Sequence, residues 1–212
     1  PEWNLASKEV YIIDFSYPKE VLLNIEKEAK QLVVLDHHAS VKEAVESVRE
    51  HIFDNEHSGA GIAWKYFHPE TPLPKLLAYV EDGDLWKHSI QNWQEIGAYL
   101  STISFSFEVW DKLAENFEKE ETFNPYVDIG KTYSEYFNFV CKKIVEQAEM
   151  VEFEGYRVLS TNAPGIFKSA VGNLMAKKHP PLSILWSRKK GYWRISLRGD
   201  DSIDVSEIAQ KY

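Results

Sequence analysis

A chain of 212 residues with 44% hydrophobic and 14% aromatic residues has ample material for a packed core, and its 27% of charged residues argues against a disordered chain. A formal net charge of −9 excludes a general nucleic-acid-coating surface, which would be basic, but not a nucleotide or short oligonucleotide held through a metal ion. Cys141 is the single cysteine, which excludes a disulfide framework and a thiolate metal cluster, and no apolar run reaches the roughly 18 residues that cross a bilayer. A reducing, cytoplasmic setting away from membranes is the expectation.

The first half alternates short apolar runs with helical patterns. Val10 to Ile13 reads as a strand that ends at Asp14, and Pro18-Lys19 opens an amphipathic stretch, 20–30, with Val21, Leu22, Ile25 and Ala29 on one face. Leu32 to Leu35 is a second strand that ends at Asp36. Helical segments follow around 41–48 and 59–67, and another over 75–80 that ends at Glu81-Asp82. Short continuous apolar runs separated by helices predict buried parallel strands in a doubly wound α/β sheet. Polar residues then gather past the carboxyl ends of the strands, where open α/β sheets place their ligands.

From about Glu108 the pattern changes. The stretch 110–121 is charged, and Asn124-Pro125 punctuates it. Apolar residues at helical spacing over 126–150 (Ile129, Tyr133, Phe137, Val140, Ile144 and others) predict a long linking helix. Beyond it, 156–159 reads as a strand and 169–178 as a helix. The segments 183–187 and 192–198 form a hairpin turning at Lys189-Lys190-Gly191, and 204–210 opens a last helix. The economical division is a domain over 1–120, a linking helix over 121–150 and a smaller α/β domain over 151–212.

The chemistry concentrates at Asp36-His37-His38. A carboxylate and two imidazoles directly after a buried strand are costly without partners. Asp14 ends the preceding strand in the same way, and neighbouring strand ends converge in space. Asp82, in the acidic run Glu81-Asp82-Gly83-Asp84, is the third element. The alternative is a capping aspartate, two surface histidines and an acidic helix end. Acidic groups from separate segments plus an imidazole form a hard oxygen and nitrogen ligand set, which suits Mn²⁺ or Mg²⁺. Two such ions polarise a phosphoryl group and lower the pKa of a bridging water.

Tyr11-Ile12-Ile13-Asp14-Phe15-Ser16, Val33-Val34-Leu35-Asp36-His37-His38-Ala39-Ser40 and Tyr79-Val80-Glu81-Asp82-Gly83-Asp84-Leu85-Trp86 resemble, in order and spacing, motifs II, III and IV of the DHH phosphoesterase superfamily. That superfamily includes exopolyphosphatases, pyrophosphatases and small-oligonucleotide phosphodiesterases. The second half resembles its accessory DHH-associated (DHHA1) domain through Ser169 to Ala176, Trp193 to Gly199 and Asp204 to Tyr212. The resemblance implies that Asp14 bridges two metals, that His37 ligates the second and that Asp82 completes that metal's shell, with Asp84 as second choice. It implies that His38 faces the substrate phosphate or leaving group, with Asp36 supporting the imidazoles from the outer shell. The family's first motif, an Asp-x-Asp loop, has no counterpart before Tyr11, since Glu2 and Glu9 lack its spacing. The family's Gly-Gly-Gly-His segment has none before Tyr212. The expectation is a fragment of a longer enzyme in which part of the ligand set holds metal weakly.

Arg198 resembles the accessory-domain arginine that contacts substrate phosphates, the alternative being a solvated strand end. His57 either lies near the active site or only precedes a helix that Ser58 caps. Trp86, Trp93 and Trp110 are expected in the core, and Arg188, Lys189 and Lys190 in a solvated turn. The function expected is metal-dependent hydrolysis of a phosphodiester or phosphoanhydride, acting on a nucleotide or short oligonucleotide and not on long duplex DNA. The alternatives are exopolyphosphatase or pyrophosphatase-like activity and a non-catalytic nucleotide-binding relative. A homodimer is compatible with the sequence.

Overall fold

β1 (Glu9–Ile13) and β2 (Gln31–Asp36) pair in parallel, with Ile13 beside Leu35, so that Asp14 and Asp36 leave the sheet side by side. The structure, a computed structural model, describes residues 4–200 and 202–212, and Glu2 lies outside them. The helix α1 (Lys19–Glu28) connects the two strands. After β2 a single 3-10 turn leads into α2 (Lys42–Glu46), and β3 (Glu50–Phe53) then adds in parallel on the far side of β2. The three-stranded order is β1-β2-β3.

The central position of β2 explains its unbroken apolar run. Leu32 and Val34 pack with Ile12, Leu22, Ile25, Val45 and Val48 on one face. Val33 and Leu35 face the other way, against Ile62 of α3 (Gly59–Phe67). Burying each of these four side chains contributes about 1.5–3 kcal/mol. Helices on both faces of a parallel sheet make this an α/β architecture.

The chain continues into α4 (Lys75–Asp84), α5 (Trp93–Leu100), α6 (Phe107–Phe117) and the long α7 (Glu120–Glu146). Leu76, Tyr79, Ile96, Leu113, Phe117 and Phe123 form their common core. A Cβ on Gly130 would stand 1.9 Å from the Glu95 carbonyl oxygen, so the crossing of α7 over α5 requires a glycine there.

The internal contacts divide the chain into two units, at Tyr133 and Ser134 within α7. In the second unit β4 (Glu149–Phe153) and β5 (Tyr156–Asn162) form a hairpin whose two-residue turn, Glu154-Gly155, has φ of 51° and 81°, the left-handed pair that tight hairpins favour. α8 (Lys168–Lys178) then crosses to β6 (Leu182–Lys189), parallel to β5, and β7 (Tyr192–Gly199) returns antiparallel. Asp204 caps α9 (Val205–Ala209) by accepting the Ser206 N–H. The sheet order is β4-β5-β6-β7, with Cys141, Leu159, Val171, Met175 and Leu185 on one face and Val158, Leu182, Ile184 and Ile208 on the other.

Sequence patterning alone misses β3, β4, α5 and α6. β3 is four residues long and alternates exposed and half-buried positions, so it carries no apolar run. The expectation that Trp86 and Trp93 are core is also corrected: Trp86 is 69% exposed, at the left-handed start of a loop (φ 54°), and Trp93 is exposed as well, while Trp110 is half-buried. Among the described residues no helix is long and apolar enough to cross a membrane.

Candidate metal centre

Asp14 follows β1 in the left-handed region (φ 65°), which aspartate tolerates better than most residues, and its N–H donates to the Leu35 carbonyl. Strain of this kind concentrates at functional sites. The start of α3 lies directly against it: a Cβ on Gly59 would meet Asp14 Oδ1 at 2.3 Å. Only a glycine admits this approach, and it sets the electropositive helix terminus beside the carboxylate. Ser58 caps α3 by accepting the Gly61 N–H.

Asp36, the last residue of β2, is fully buried. Its Oδ1 accepts the backbone N–H of both His37 and His38 and the Nδ1–H of His38 at 2.7 Å. The carboxylate therefore orients the His38 ring, whereas it touches His37 only through the backbone. That hydrogen bond, aided by the charges of Asp36, Asp14 and Asp84, raises the His38 pKa against the opposing effect of burial.

His37 is the more enclosed imidazole. Its Nε2 is buried without a hydrogen-bond partner, yet it stands 3.2 Å from Asp14 Oδ1 and 3.4 Å from Asp84 Oδ2. Ligand atoms of Asp14, His37 and His38 all fall within 4.8 Å of one another. An imidazole nitrogen lodged between carboxylate oxygens but bonded to neither is a donor set that a hard divalent cation fits.

Asp82, expected as a ligand from its place after an apolar stretch, is turned to a different task. It lies inside α4, not past the end of a strand, and is buried. Its carboxylate accepts the Ser89 N–H and hydroxyl and so closes the loop after the helix. Burial would raise its pKa, but the bonds from Ser89 and the Ile90 N–H outweigh that and hold it below the ordinary value. Asp84, the second choice, is the residue beside His37.

Glu81 was not singled out from the sequence, yet it joins α4 to the start of α3. Its Oε2 accepts the Ser58 N–H and hydroxyl, and its Oε1 accepts Nδ1–H of His57. Lys65 Nζ donates to the other ring nitrogen at 2.6 Å. His57 is therefore held in a Lys65–His57–Glu81 chain, outside the Asp14–His37 cluster. Because Glu81 and Asp84 sit one helical turn apart, the first anchors the face that carries the second. The sequence signal for this junction is Ser58-Gly59-Ala60-Gly61, a cap followed by two glycines. Arg198 belongs to the second unit, where its guanidinium donates to the Leu197 carbonyl and the Ser169 hydroxyl.

No family model matches this chain. An uncharacterized protein of Acanthamoeba polyphaga mimivirus is 31% identical to it over 221 residues, covering 98% of this chain and 51% of that protein. The chain thus spans about half the length of the curated relative it matches. The crystal structure of an uncharacterized protein from Helicobacter pylori aligns with 96% of this chain and 73% of its own, at 15% identity and a TM-score of 0.46.

Proposed function

We propose that this chain is a metal-dependent phosphohydrolase of the DHH type that cleaves a phosphodiester or phosphoanhydride bond in a nucleotide or short oligonucleotide. The observation that carries this reading is the buried, unpartnered His37 Nε2, 3.2 Å from Asp14 Oδ1 and 3.4 Å from Asp84 Oδ2. Asp14 and His37 would hold a divalent ion, Mn²⁺ or Mg²⁺, with a ring nitrogen of His38 in reach of the same position and Asp84 close to His37, and a full two-ion set requires donors beyond these. Such an ion supplies Lewis acidity toward a phosphoryl oxygen and a water of lowered pKa.

The chain's own residues supply the rest. His38, its Nδ1–H fixed on Asp36, keeps Nε2 free to face the substrate. Its raised pKa favours a proton there for the leaving oxygen. Asp36 holds that ring and the backbone of both histidines. In this reading the first unit corresponds to the DHH domain and the second, which carries Arg198, to the DHH-associated domain.

The test is hydrolysis of bis(p-nitrophenyl) phosphate and of a dinucleotide by the purified chain with Mn²⁺, set beside calorimetric titration of the metal alone. Hydrolysis lost in Asp14→Ala and His37→Ala supports the reading, and activity unchanged in both overturns it. Metal uptake without turnover of either substrate, or of pyrophosphate and polyphosphate, supports the non-catalytic nucleotide-binding relative instead.

A further inference from the structure

The β6–β7 hairpin carries a second site, independent of the Asp14–His37 cluster. A cleft of about 500 Å³ opens at its outer end, lined by Trp186, Arg188, Lys189 and Trp193 with Asn162 and Gly165. Register explains how it forms: Trp186 pairs with Ile195 and Arg188 with Trp193, so these four side chains share one face of the ribbon. Arg198 lies five positions beyond Trp193 on the same strand and therefore projects from the opposite face, toward Ser169 of α8.

The indoles of Trp186 and Trp193 stand 5.5 Å apart at 68°, an angled pair and not a closed sandwich. They are 40% and 60% exposed. The Arg188 guanidinium lies 5.8 Å from the Trp193 ring, and among the described residues no carboxylate engages Arg188 or Lys189. Both indoles leave a large part of their surface open to water.

Charge identifies the occupant. Between Leu182 and Gly199 the sequence carries Arg188, Lys189, Lys190, Arg194 and Arg198 and not one acidic residue, although the whole chain has a net charge of −9. A basic, tryptophan-bearing ribbon on an acidic chain attracts anions that the rest of the surface repels. Indole faces beside forked donors match a ligand that alternates aromatic rings with phosphates. The cleft's volume lies within the range of sites that take small ligands of nucleotide size.

We propose that this cleft binds single-stranded nucleic acid, one base stacking on Trp193 beside Trp186 while the adjoining phosphate meets Arg188. The site belongs to the second unit alone, so it requires no metal and stands or falls apart from the proposed hydrolase activity.

The test uses the full chain in EDTA and a fluorescein-labelled oligothymidylate of about eight nucleotides, a length within the usual site size. Anisotropy reports binding, and quenching of tryptophan emission reports stacking. Trp193→Ala is expected to weaken binding about 10-fold or more, while Trp193→Phe, which keeps a ring, retains most of it. Arg188→Ala is expected to weaken binding and lower the slope of log K against log salt by about 1. Three results would overturn the proposal: no oligonucleotide binding, equal affinity of Trp193→Ala and the parent, or displacement of the label by tripolyphosphate or duplex DNA as readily as by single strand.

Discussion

His37 Nε2 and Asp84 Oδ2 approach to 3.4 Å, whereas Asp82, two residues earlier on the same helix, is engaged with Ser89. The contrast makes a clean pair of substitutions. Asp84→Asn removes one of the carboxylates facing His37 and should lower Mn²⁺ affinity by about 100-fold or more with little change in stability, since the residue is substantially exposed. Asp82→Asn places an amide where a buried carboxylate receives two bonds from Ser89, and should cost about 1–3 kcal/mol of unfolding free energy while leaving metal affinity near that of the parent. Calorimetric metal titration and urea unfolding of both variants check it, and the reverse pattern would restore Asp82 as the ligand.

Gly59 offers an independent probe of Asp14. Its added Cβ would collide with Asp14 Oδ1, Cβ and Cγ at 2.3–2.4 Å, and Asp14 is already in a left-handed conformation with little freedom to retreat. Gly59→Ala is expected to cost about 1–3 kcal/mol and to weaken Mn²⁺ binding about 10-fold or more by displacing the carboxylate. Gly97, where an added Cβ meets nothing within 4 Å, is the control: Gly97→Ala lies within a helix and should be neutral or slightly stabilising.

Glu81 positions without ligating. Glu81→Gln keeps the shape but loses the charge that draws the Ser58 N–H and hydroxyl and the His57 ring together. The expected result is a loss of about 1–3 kcal/mol in stability and a fall of several-fold in metal affinity, passed on through Asp84. Unchanged metal affinity alongside the stability loss would confine Glu81 to a structural role.

How far this was legible in the sequence depends on which physical signal each residue carries. The unbroken run Leu32-Val33-Val34-Leu35 could be read because a strand buried on both faces leaves no polar positions, and the residues after it then inherit the strand-end location. That is why Asp14 and Asp36-His37-His38 read together as neighbouring strand-end residues. The choice between Asp82 and Asp84 was not legible. It turns on α4 running on through Gly83 to Asp84, and at about 100° per residue the last turn decides which carboxylate faces the histidines. A run Glu-Asp-Gly-Asp reads equally well as a helix end. The contact of Gly59 with Asp14 spans 45 positions of chain and leaves only a glycine as its trace. The tryptophan cleft was hidden for a related reason: Trp186 and Trp193 meet only once the hairpin register is fixed.

Cys141 gives a probe of the second unit. Its side chain has no exposed surface, and it packs with Leu159, Val171, Met175 and Leu185. Burial pushes its thiol pKa up, because a thiolate there would lie in apolar surroundings. The folded protein should therefore resist an aromatic disulfide reagent at pH 8 and react fully once urea unfolds this unit. The raised value also sets a sign. Below the unfolded thiol pKa of about 8.5 both states hold the proton and stability is unaffected; above it only the unfolded state ionises, so stability falls as pH rises toward the folded value. Urea midpoints measured between about pH 8 and pH 9.5 should decline, and Cys141→Ala should flatten that decline even though the lost sulfur lowers stability at every pH. A thiol that reacts at once in the native protein, or an equal decline in the variant, would show that Cys141 is not sealed in this core.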